Sequence, residues 1–114
     1  MHTFGVREAQ ERLAAAGGGY EVVHAAPGLE VGVYVLVAPN PDGQTPHEDD
    51  EVYVVLAGSG ALDVAGEEVP LSEGDAVFVE AGVAHRFGGY ETLSLLVVFT
   101  PPAAEATPLR DPTS

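Results

Sequence analysis

The run Thr45-Pro46-His47-Glu48-Asp49-Asp50-Glu51-Val52-Tyr53-Val54-Val55-Leu56-Ala57-Gly58 decides how this chain folds. In an extended strand successive side chains point to opposite faces, so positions 45, 47, 51, 53 and 55 share one face. That face sets a His and a Glu beside an otherwise apolar wall. Burying them costs several kcal/mol unless they are paired or coordinated. A second stretch, Gly74-Asp75-Ala76-Val77-Phe78-Val79-Glu80-Ala81-Gly82-Val83-Ala84-His85-Arg86-Phe87, places another histidine just after a glycine turn, where it opens the next strand.

Outward from these two stretches the texture is that of an all-β domain. Short runs rich in Val, Tyr, Phe and Leu alternate with clusters of Gly, Pro, Asp and Asn. Strands are expected near 20–25, 30–38, 51–57, 60–65, 67–71, 76–80, 84–88 and 92–100. Pro39-Asn40-Pro41-Asp42-Gly43 favours a tight turn, and Ser72-Glu73-Gly74-Asp75 reads as another. Ala57-Gly58-Ser59-Gly60 has the length of a hairpin connection, and Ala65-Gly66-Glu67 repeats that signal one hairpin later. Before the strands, residues 5–16 read as a short helix with Val6, Ala9, Leu13 and Ala16 on one stripe, stopped by Gly17-Gly18-Gly19. Three parts follow: a helical arm over 1–19, a barrel over 20–100, and a proline-rich flexible tail over 101–114. Seven or eight short strands in one domain make a sandwich or a jelly-roll barrel.

The 114 residues fit a single domain, and 46% apolar composition supports an ordered core. Four Lys+Arg against eighteen Asp+Glu give a formal charge of −14, which argues against nucleic acid or an anionic membrane as partner. All four basic residues are arginines: Arg7, Arg12, Arg86 and Arg110. Without Lys there is no Schiff base, and without Cys no thiol nucleophile, disulfide or thiolate metal site. Met1 to Gly5 lacks a basic stretch leading into an apolar run, and nothing approaches a bilayer-spanning length, so a cytoplasmic location is expected.

On these residues the chain resembles the cupin superfamily. The second His of that family's first motif falls on His47, its Glu on Glu51 and its closing Gly on Gly58; in the second motif the glycines fall on Gly74 and Gly82 and the His on His85. The resemblance covers roughly residues 30–100. It implies an all-β double-stranded β-helix, the jelly-roll or cupin barrel, with the short helix in front. It also implies one divalent ion of the Fe, Mn, Ni or Zn group, held by His47, Glu51 and His85. Two imidazoles and one carboxylate resemble the 2-His-1-carboxylate arrangement, which leaves positions for water, substrate or dioxygen.

Three positions depart from the family pattern. Thr45 stands where the first His of His-x-His would be, Glu80 where the Pro would be, and Gly89 where the Asn would be. Thr45 through a water and Gln44 through its carbonyl are weak substitutes for the missing ligand. Asp49 has the parity of a fourth ligand only if the strand is unbroken there. Tyr53 shares the face of Glu51, as a pocket hydroxyl or as a core tyrosine. Glu80 reads as a rim base or a solvated turn residue. Phe78 and Phe87 read as packing residues, Arg86 as an outward side chain paired with a carboxylate, and His24 as structural.

Three functions fit this reading. The first is a metal-dependent enzyme of oxygenase or isomerase/lyase type acting on a small molecule. The second is a non-catalytic sensor or small-ligand-binding barrel without a functional metal, and the third is a purely structural barrel. No helix–turn–helix segment accompanies the barrel, which argues against a transcription-factor effector domain. A homodimer is expected, because a small sandwich leaves an edge strand to cover.

Overall fold

The computed structural model describes residues 1–43 and 47–100. Helix α1 (Val6–Ala15) is followed by strands β1 (Gly19–Ala26), β2 (Leu29–Val37), β3 (Asp50–Val64), β4 (Glu67–Ser72), β5 (Ala76–Val79), β6 (His85–Gly88) and β7 (Thr92–Thr100). All pairings are antiparallel. One sheet runs β1-β2-β7-β3, with β5 on the far side of the first half of β3. The second half of β3 lies between β4 and β6. A single strand thus serves both sheets, and the two roll around one core as a double-stranded β-helix.

That continuity replaces the hairpin expected at Ala57–Gly60, so the strands expected near 51–57 and 60–65 are one, and the described residues hold seven strands. Pairing with β7 slips between Val55 and Ala57, a bulge that leaves Leu56 as the extra residue. The slip reverses the alternation: Glu51, Tyr53 and Val55 point into the core before it, Leu62 after it, while Leu56 packs on the outer face. Gly58 sits at φ +85°, and a Cβ there would collide with the Thr92 carbonyl oxygen. Its glycine serves a close backbone approach inside a strand rather than a turn. The second hairpin signal is realised. Val64 pairs with Glu67 across Ala65 (φ 51°) and Gly66 (φ 90°), the two left-handed residues of a type I′ turn, and the Gly66 N–H donates to Asp63 Oδ1 at 2.9 Å.

Three strands line up to form the inner face. Glu30, Phe99 and Glu51 are in register across β2, β7 and β3; so are Gly32, Val97 and Tyr53, and then Tyr34, Leu95 and Val55. The alternate residues Val33 and Val35 point outward against Ala9, Val6 and Leu13 of α1. The helix is short enough to be marginal alone. It persists because Ala9 is fully buried on β2 and because Arg12 forms a two-pronged ion pair with Glu21 of β1. Its end is capped as expected, with the Gly18 N–H donating to the Leu13 carbonyl at 2.8 Å and Gly17 and Gly18 both at positive φ. No helix among the described residues is long and apolar enough to cross a membrane.

Two packing expectations need correcting. Phe87 is buried, but Phe78 is 57% exposed, because the neighbouring Val79 takes the inward position on β5. Arg86 does point outward, yet it forms no ion pair with a described residue. Gln44, Thr45 and the 101–114 tail lie outside the described residues.

Candidate metal and ligand site

Each element delivers one piece of the site. Alternation on β3 sends the Glu51 and Tyr53 side chains inward, where both residues are 1% exposed. His85 begins β6 opposite Val64, at the far half of β3, and its ring reaches across the interior toward Glu51. His47 precedes β3, and its carbonyl is held by the Gly82 N–H at 2.7 Å, so the loop before β3 and the loop before β6 are tied together.

His85 Nε2 lies 3.3 Å from Glu51 Oε1, and His47 Nε2 lies 4.0 Å from Glu51 Oε2. The Tyr53 hydroxyl stands between two of these groups. It donates to Glu51 Oε2 at 2.6 Å and is 2.8 Å from His85 Nε2. His85 Nδ1 is 2.9 Å from the Val83 carbonyl, which only accepts, so Nδ1 carries a proton and Nε2 faces the carboxylate. Metal-ligating histidines are oriented in this way by a backbone carbonyl on the other ring nitrogen.

Tyr53 thus ties Glu51 to His85, and two imidazoles with one carboxylate are the donor set of a borderline divalent ion. As the side chains stand, no three His or carboxylate groups among the described residues are arrayed to chelate one. The distant member is His47, whose side chain is 35% exposed, against 1% for those of Glu51 and His85.

Next to the cluster lies a cavity of about 410 Å³. Tyr20, Tyr34, Tyr53, Val97 and Phe99 supply its apolar wall, and His47, Glu30 and Asp49 its polar groups. Asp49 stands outside the strand, which starts at Asp50, so the unbroken strand that would make it a ligand is absent; it belongs to the cavity wall instead. Glu80 is exposed in the turn before His85 and is not part of that wall. His24 stacks on Phe4, with ring centroids 5.2 Å apart, away from the cavity.

Sequence reasoning missed Tyr20, Glu30, Tyr34 and Phe99. For Glu30 and Tyr34 the signal was the even-numbered set on β2, where Glu30, Gly32 and Tyr34 interrupt an aliphatic strand. It also missed Asp42, which is buried within the loop read only as a turn. Asp42 accepts hydrogen bonds from Tyr34 Oη at 2.7 Å and from the Phe87 N–H at 2.9 Å. Burial, and then this carboxylate, push the Tyr34 phenol above its ordinary pKa.

Comparison with known proteins settles the family. Residues 33–99 match the family description "Cupin domain", more than half of the chain. The chain belongs to the cupin family. This cupin is 41% identical over 103 residues to an uncharacterized protein of Streptomyces coelicolor, covering 90% of this chain and 98% of that one. It is also similar to acireductone dioxygenase of Tuber melanosporum, 39% identical over 46 residues, which span 36% of this chain and 27% of that enzyme. Among solved structures, an RmlC-like cupin family protein with a double-stranded β-helix fold from Methanocaldococcus jannaschii superposes with a TM-score of 0.72 at 14% identity, over 94% of this chain and 96% of that one. That last likeness speaks for the fold alone.

Proposed function

We propose that this cupin holds one divalent ion, Fe(II), Mn(II), Ni(II) or Zn(II), between His47, Glu51 and His85, and acts on or binds a small molecule in the adjoining aromatic cavity. The observation that carries the proposal is the convergence of two imidazole Nε2 atoms on one buried carboxylate. A divalent ion bound there supplies Lewis acidity toward a carbonyl or enediol and, where it is iron, redox chemistry with dioxygen. The chain's own residues do the rest. The Val83 carbonyl fixes the His85 ring, and the Tyr53 hydroxyl orients Glu51 at the cavity wall. The short similarity to acireductone dioxygenase supports oxygenase-type chemistry among the possible reactions.

A second reading, a ligand-binding or sensor cupin without a functional metal, is favoured by one observation: the Tyr53 hydroxyl already bridges Glu51 and His85. Elemental analysis of tag-free protein purified without chelator, alongside His47→Ala and His85→Ala, separates the two. The metal reading expects about one ion per chain in the parent and a loss in both variants. No ion, or an ion that neither substitution removes, leaves the metal-free barrel.

We also propose a homodimer formed along β1. Among the described residues that strand is one edge of its sheet, and Tyr20, Val22 and Leu29 are exposed on or beside it. Light scattering at physiological ionic strength, where the charge of −14 is screened, is expected to show twice the 11.8 kDa chain mass; a species at the chain mass overturns this.

A further inference from the structure

The cavity beside the His47, Glu51 and His85 cluster has a composition that the proposed function does not use. Its walls bring together four aromatic rings, from Tyr20, Tyr34, Tyr53 and Phe99, and two carboxylates, Glu30 and Asp49. None of the arginines of this lysine-free chain lines it among the described residues. Arg12 is committed to Glu21, and Arg86 belongs to a separate groove along β6. Glu51 adds a third carboxylate next to Tyr53. A divalent ion would offset two of these three negative charges, so even a loaded site keeps an excess of negative charge. Among the described residues no arginine offers an anionic ligand a counter-charge in this pocket, whereas a cationic one finds both carboxylates and π-faces.

The rings are set as corners rather than as a stack. Tyr20 stands at 75° to Tyr34 and at 76° to Phe99, each with centroids 6.2 Å apart, and Phe99 meets the His47 ring at 5.1 Å. Walls at near right angles offer more than one face to a single bound group, which suits a cation held by ring quadrupoles. The chain makes specific room for this arrangement. A Cβ at position 32 would collide with the Tyr20 ring, so glycine there is what lets the ring lie over β2. The Tyr20 hydroxyl donates to Glu30 Oε2 at 2.7 Å, which fixes ring and carboxylate as one unit. Burial and then that hydrogen bond raise the pKa of the phenol, so the ring stays neutral. A volume of about 410 Å³ is that of a small-molecule site.

We propose that this cavity selects a small organic ammonium ion, seating the cationic group against Tyr20 and Phe99 within reach of Glu30 and Asp49. The proposal deepens the function above and rests on it in taking the cavity as the ligand site. It does not require that the neighbouring cluster hold a metal.

The test is calorimetric titration of the full chain with choline, with its uncharged carbon isostere 3,3-dimethylbutan-1-ol and with the anion 3,3-dimethylbutanoate, at about 150 mM salt so that diffuse attraction to the acidic surface is screened. Chelator-treated and ion-loaded protein are titrated in parallel, with ion content measured on the same samples. Choline is expected to bind at least about fivefold more tightly than the neutral alcohol, with no measurable binding of the anion. Glu30→Gln and Phe99→Leu are each expected to lower choline affinity at least about fivefold and to leave the alcohol within about twofold. Phe99→Leu keeps every charge, so its effect separates the ring site from general acidity. Equal or tighter binding of the alcohol, preference for the anion, absence of choline binding, or choline binding indifferent to both substitutions overturns the proposal. Choline preference in protein that never takes up an ion at the cluster upholds the cage and removes the metal reading. A bound ion without choline preference does the reverse.

Discussion

A Glu51→Gln protein is expected to fold as the parent does and to bind a divalent ion at least about 100-fold more weakly. The expectation follows from what the substitution changes and what it keeps. Gln fills the same volume at a fully buried position and still offers a carbonyl oxygen to the Tyr53 hydroxyl, which now donates to Glu51 at 2.6 Å. It removes the one anionic donor of the cluster, leaving two neutral imidazoles that hold a borderline ion far less well than two imidazoles and a carboxylate. Glu51→Ala would be a poorer test, because a cavity beside Tyr53 and Val79 would cost stability for unrelated reasons. Metal titration by competition with a chromophoric chelator measures the effect, and thermal melting of the same samples shows whether the fold is intact. Unchanged affinity in a folded Glu51→Gln protein would place the ion elsewhere, among the other acidic residues of the eighteen.

Asp42→Ala carries the largest expected effect on stability, about 2–4 kcal/mol. The Asp42 carboxylate is 1% exposed and joins three parts of the chain: its own loop, Tyr34 of β2 and the backbone of Phe87 in β6. Alanine would strand a buried N–H and a half-buried phenol, each costing about 1–3 kcal/mol when unpaired. For a domain of this size the melting temperature should fall by about 10 °C or more, which differential scanning calorimetry reads directly. Asp42→Asn retains an acceptor oxygen and should recover much of the loss. The consequence reaches the site, because β6 begins at His85, two residues before the N–H that Asp42 holds, and Gly43 is part of the cavity wall. A melting temperature within about 2 °C of the parent would show that this clamp contributes little.

Local signals carried much of this architecture. The parity of 47, 51, 53 and 55 placed Glu51, Tyr53 and Val55 on an inward face, as they are, because alternation depends only on the strand being extended. The stripe Val6, Ala9 and Leu13, closed by three glycines, marked the helix and its buried side. The features that escaped are those whose cause lies far along the chain. Glycine at 58 reads equally as a turn or as a close approach, and only the Thr92 carbonyl, thirty-four residues on, decides for the second. Asp42 looks like any turn former until Phe87 supplies the N–H that holds it inside, forty-five residues away. Tyr20, Glu30, Tyr34 and Phe99 become one cavity wall through the registers of β1, β2 and β7, which no local pattern encodes. For the site, His47, Glu51 and His85 were legible as candidates from motif spacing. The role of Tyr53 as the hydroxyl bridging two of them emerged only from the packed barrel.

The measurement that bears most directly on the proposed metal centre is anomalous diffraction, collected on both sides of the absorption edge from crystals of chelator-free, tag-free protein. One peak is expected inside the barrel, about 2.0–2.3 Å from His47 Nε2, His85 Nε2 and a Glu51 oxygen. A map with no peak there and the Tyr53 hydroxyl still bridging Glu51 and His85, or with a peak only among surface carboxylates, would contradict a metal centre in this cupin.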